Sequence, residues 1–177
     1  MRKWLRAMNP LMKPRGMAEA QWAAQSMVFA IVISFLGGVP GSIWLVLTPG
    51  WFTDVMVAQQ GADGLSAGEF ASMTQFFEAF MPIAFLVSFL VTLMVYSVLG
   101  WVQWRQMTRW IPVVWLAFAA YGWAMMLVRW ATGPAQVIQI GPPWMSNLSL
   151  ACSVAATIIA VASLRGAIML HRLRREP

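Results

Sequence analysis

Few residues in this chain could do chemistry. His171 is the one histidine and Cys152 the one cysteine, which excludes a bis-histidine haem, an internal disulfide and a two-cysteine redox motif. Fourteen methionines could offer soft thioether ligands to copper(I), with Met56, Met73, Met81 and Met145 on one side of the apolar runs. Methionine also fills apolar helix surfaces, and Met125-Met126 fits that use. Serine, histidine and aspartate do not co-locate in a way that suggests nucleophilic catalysis. No catalytic set, cofactor or metal is expected. Cys152 reads as a small packing residue and His171 as part of a basic tail.

Three other groups of residues could matter. Glu78 and Arg129 are opposite charges near the same ends of two apolar runs. They form an ion pair if the run containing Glu78 ends as a helix near Gly100. If that helix continues to Arg105, the offset along the axis grows to about 10 Å and the pair fails. Gly37, Gly38, Pro40 and Gly41 sit together in the first run. Proline removes a backbone donor and glycine loosens the chain, so a kink or break is expected there. Ser26, Ala30, Ser34 and Gly38 repeat every four residues, a small-residue stripe for close helix approach. Ala84, Ser88 and Thr92 repeat likewise, and Ala151, Ala155, Ala162 and Gly166 hold one face of the last run.

The elements that carry these residues follow from composition. The 177 residues are 60% hydrophobic and 10% charged, against about 45–50% and 25% in soluble domains. Such a chain has too little polar surface to cover itself in water. Four apolar stretches stand out, at about 23–47, 80–102, 111–130 and 148–170. Each reaches the ~20 residues that cross a hydrocarbon core, and in lipid the backbone must satisfy itself as helix. The fold class is therefore an all-α integral membrane protein, one domain over 1–177 forming a four-transmembrane-helix bundle.

The connection over 48–77 is expected to be partly helical and on the outer side. Thr53 or Asp54 caps a short helix ended by Gly61, and Ser66 with Glu69 forms a capping box. The second helix would then run from about 67 to 103, with Pro82 as a bend point and a Phe70, Met73, Phe77, Phe80 stripe. Little more than Gln103–Trp110 joins the second and third spans, which predicts an antiparallel hairpin.

Charge sets the orientation. Of the twelve lysines and arginines, eleven flank the runs on the side of the two termini and only Arg129 lies opposite. The positive-inside rule then predicts both termini in the cytoplasm, and the bacterial inner membrane is the expected location. Gly38-Val39-Pro40 is a poor cleavage site, so the first run is read as a span, not a removed signal. The basic clusters abut apolar runs, which predicts contact with anionic lipids and not with nucleic acid.

No Asp, Glu, Lys or His lies near the middle of a span, where ion-coupled transport usually needs one. The expected function is a non-enzymatic structural or accessory subunit, or an assembly factor, of a membrane complex. Its partners would be the bilayer and either another membrane protein or further copies of itself. The competing expectation is a transporter or channel for a small neutral or lipophilic solute, using a broken first helix.

Overall fold

A computed structural model describes residues 2–12, 14, 16–48, 50–51, 67–131 and 142–175. The short helix expected before Gly61, Ser66 of the capping box and most of the loop beyond 131 lie outside those residues. Within them, all regular structure is helical: α1 (Arg2–Ala7), α2 (Met17–Gln25), α3 (Met27–Leu47), α4 (Ala67–Gln106), α5 (Trp110–Ala131) and α6 (Pro143–Leu173). Four segments are long and apolar enough to cross a membrane: Met17–Leu47, Glu78–Gln106, Trp110–Val128 and Pro143–Leu173. The first of these begins before the expected span because Met17–Gln25 is alanine-rich. Its helix propensity is high, while Glu19, Gln21 and Gln25 hold its hydropathy down.

The first segment is interrupted, though not at the expected place. The helix runs through Gly37, Gly38, Pro40 and Gly41 to Leu47, neither ending near Gly38 nor breaking there. Pro40 cannot donate to the preceding turn, and the Ser42 hydroxyl donates to the Gly38 carbonyl at 3.2 Å. The discontinuity is at Ser26, between α2 and α3. Its hydroxyl donates to the Ala23 carbonyl at 2.7 Å, and its own carbonyl accepts from Phe29, three residues on, at 2.9 Å. One tightened turn results, buried against α6.

The core lies where α2 and α3 meet α6. Ala20, Ala23, Ala24, Met27, Ala30 and Ile31 are buried on one side, and Ala156, Ala160, Ala162, Ala167 and Leu170 on the other. Small side chains let the two backbones approach, so dispersion contacts are dense. Gly166 marks the closest approach. A Cβ there would lie 2.5 Å from the Ala23 Cβ and 2.7 Å from the Ala24 nitrogen.

The stripe read every four residues does not stay on one buried face. Ser26 and Ala30 are buried, Ser34 is half-buried, and Gly38 is exposed with open space beside it. A strict four-residue step advances 40° beyond a full turn each time, since each residue turns 100°. After three steps Gly38 points 120° away from Ser26. The buried series runs instead at Ala23, Ala30 and Gly37, a seven-residue spacing that stays on one face. A Cβ on Gly37 would meet the Cys152 Cβ at 2.7 Å.

α4 packs on α3 and α5 packs on α6, so the helices stand in the order α4, α3, α6, α5. This corrects the expected hairpin. The turn between α4 and α5 is short, but the two helices do not pack along their lengths; a ring contact of 5.5 Å between Tyr96 and Trp115 spans the gap. Sequence adjacency is outweighed by the small-residue faces of α3 and α6, which bring those two helices together and leave α4 and α5 outside them.

A polar clamp ties three helices at the interruption. The Ala24 carbonyl accepts from the Gln103 amide of α4 at 2.9 Å and from the Ser163 hydroxyl of α6 at 2.9 Å. An unpaired carbonyl in this buried place would cost about 1–3 kcal/mol. At the far end of the chain, Trp4 of α1 stacks on Trp104 with ring centroids 6.3 Å apart and meets Phe29 edge-on at 5.5 Å. Arg6 and Glu19 approach to 3.9 Å at the surface, a contact worth little on its own.

Candidate functional site

Because α4 and α5 diverge, a cleft of about 610 Å³ opens between them. Tyr96 and Leu99 of α4 form one wall; Ile111, Val114, Trp115 and Phe118 of α5 form the other. Ser34 of α3 and Ser153 and Thr157 of α6 stand at the back. The walls are apolar and aromatic, and the polar groups are neutral hydroxyls. Thr157 donates to the Ser153 carbonyl at 2.8 Å, as helix-embedded threonines commonly do.

The cleft continues towards the end of the bundle away from the termini. There a second cavity of about 800 Å³ lies between α3, α5 and α6, and it shares Phe118, Ala119 and Ser153 with the cleft. Gly38, Gly41 and Gly122 line it; bulky side chains there would take up its volume. On α6 the polar lining runs Ser146, Ser149, Ser153 and Thr157, one row of hydroxyls at three- to four-residue spacing along one face. A narrower gap of about 110 Å³ between α3 and α4 adds Ser42, Ser88 and Thr92.

The opposite end is basic. A cavity of about 270 Å³ lies between the α4–α5 turn and the end of α6, walled by Arg109, Trp110, His171 and Arg174 among others. The turn is tightly built. Met107 takes a left-handed conformation, with φ 49°, and its N–H donates to the Gln103 carbonyl at 3.0 Å. This is a helix cap that glycine usually fills. The Thr108 hydroxyl accepts from the Trp110 N–H at 3.3 Å, and Arg109 lies 5.6 Å over the Trp110 ring.

The residues singled out from sequence fall in three places. Gly37 packs against Cys152, which is the small packing residue expected. Gly38 and Gly41 line the larger cavity, within a helix that continues past them to Leu47. Glu78 is exposed on α4, and the side chain of Arg129 lies outside the described residues. The expected pair therefore falls outside what is described, although α4 continues to Gln106 and α5 starts at Trp110.

Sequence reasoning missed three features. Gln103 closes the expected second helix with no packing role, yet it is buried and its amide donates to the Ala24 carbonyl; an uncharged amide directly after an apolar run is the available signal. The hydroxyl row on α6 was visible as serines and a threonine at helical spacing. His171 reads as plain basic tail, but it is half-buried and its Nε2 has no hydrogen-bond partner among the described residues. Comparison with known protein families, with curated proteins and with solved structures finds no match to this chain.

Proposed function

We propose that this chain is a non-enzymatic integral membrane protein that takes the apolar part of a membrane-borne molecule into the cleft between α4 and α5. The cleft carries this reading. Its volume of about 610 Å³ falls in the ~300–1,000 Å³ range of small-molecule sites. Its make-up, apolar walls with a few convergent hydroxyls, suits a lipophilic ligand with a weakly polar group. It is open at the side, which in a bilayer is the direction from which such a ligand arrives.

Ala119 lies where the cleft meets the larger cavity, so Ala119→Trp fills both. In native mass spectrometry of the detergent-purified protein, wild type should retain a lipophilic molecule and Ala119→Trp should retain about tenfold less. Overfilling a site costs about 1–3 kcal/mol, and tenfold is 1.4. A wild type that carries nothing beyond detergent would contradict the proposal.

The positive-inside argument supports insertion with both termini in the cytoplasm. Alkaline phosphatase fused after Gln136 should then be active, and the same reporter after Gln106 silent. An active fusion at Gln106 would reverse the orientation.

A second reading, an accessory subunit of a membrane complex, is favoured by α4 itself. Its 40 residues extend to roughly 60 Å, about twice the hydrocarbon thickness. Phe76 and Phe80 stack at 5.7 Å on its extended part and are exposed. Gentle extraction separates the two readings: a protein partner at fixed stoichiometry favours this one, and a lone chain carrying lipophile the first.

A further inference from the structure

The basic-end cavity and the lateral cleft meet at one side chain. Trp110 lines both, so a molecule with an anionic head and an apolar tail could lie in the two at once. The cavity is built for the head. Arg109, His171 and Arg174 surround it, and none of its described lining residues is acidic. His171, itself half-buried, lines the same wall, and its Nε2 has no hydrogen-bond partner among the described residues. Arg109 is held over Trp110 by a cation–π contact, which sets one cation beside the wall that the cleft shares. Arginine is the side chain best suited to phosphate, through paired charge-assisted hydrogen bonds.

We propose that the occupant is an anionic phospholipid of the leaflet at the basic end, with its phosphate among Arg109, His171 and Arg174 and an acyl chain in the cleft past Trp110. This rests on the cleft reading above and adds the class of molecule. The adjoining apolar cleft selects a lipid over free phosphate, which would leave Leu99, Val114 and Phe118 unfilled.

The test uses the full-length protein in detergent, titrated with phosphatidylglycerol and phosphatidylcholine of matched acyl chains and read by native mass spectrometry. Wild type should bind phosphatidylglycerol about tenfold more tightly, the worth of one charge-assisted contact. Arg109→Gln with Arg174→Gln should bring it down to the phosphatidylcholine level. The corresponding double lysine variant should keep most of the preference, and Arg172→Gln, outside the cavity, should keep all of it. Both cavity arginines are exposed, so these variants fold. A preference that survives the double glutamine variant overturns the proposal. So does inorganic phosphate at millimolar concentration competing as well as the lipid, which would mark a free-phosphate site. Equal binding of the two lipids, with both lost in Ala119→Trp, overturns the headgroup assignment and leaves the cleft reading standing. Binding of neither lipid overturns both.

Discussion

Gly166→Ala is expected to lower the melting temperature of the purified protein sharply, while Gly38→Ala leaves it unchanged or raises it. The two substitutions add the same methyl group to a helix. At Gly166 that group would lie 2.7 Å from the Ala24 nitrogen and 2.9 Å from the Ala23 carbonyl carbon. These are backbone atoms of α2 and cannot rotate aside, so the helices must separate. Overpacking of this kind costs about 1–3 kcal/mol. The loss falls beside the clamp, because Ser163 lies one turn before Gly166 and both reach the Ala23–Ala24 backbone. Moving α6 away lengthens the bond to the Ala24 carbonyl as well, which places the effect at the upper part of that range. At Gly38 nothing lies within 4 Å of the added atom, and replacing a helical glycine gains about 0.5–1 kcal/mol. Equal melting temperatures for the two variants would show that α2 and α6 are not packed as described.

That contrast bears on what the sequence makes legible. Four helices of spanning length were readable because hydropathy sums over a window and needs no knowledge of neighbours. Which helix packs on which is a different kind of information. It depends on the face each small residue occupies, and a stripe counted every four residues drifts off its face within three turns. Gly37 and Gly38 are adjacent in sequence, yet one touches Cys152 and the other faces open space.

The candidate site was less legible for the same reason. Its walls come from α4 and α5, its back from α3 and α6, and no segment carries more than part of it. The expected hairpin would have closed it. Ser149, Ser153 and Thr157 look like ordinary small residues of an apolar run until α5 is seen to stand away from α4. The basic-end cavity needed the fold as well, since Arg109 and Arg174 are 65 residues apart and come together only because α5 packs on α6.

In the helix order, α3 pairs with α6, and α4 and α5 stand apart. Disulfide formation tests it directly, because the chain has one native cysteine, Cys152 on α6. Gly37→Cys sets a second thiol against it across the core. A Cβ there lies 2.7 Å from the Cys152 Cβ, and a relaxation of about 1 Å brings the pair to disulfide geometry. Mild oxidation should yield a monomer that has lost two hydrogens by intact mass, in nearly full yield. For comparison, Met94→Cys with Gly122→Cys, in a Cys152→Ser background, places thiols at positions that a packed α4–α5 hairpin would bring level. Both positions are exposed on diverging helices, so this pair should stay reduced under the same conditions. An oxidised 94–122 pair together with a reduced 37–152 pair would contradict the helix order and close the cleft.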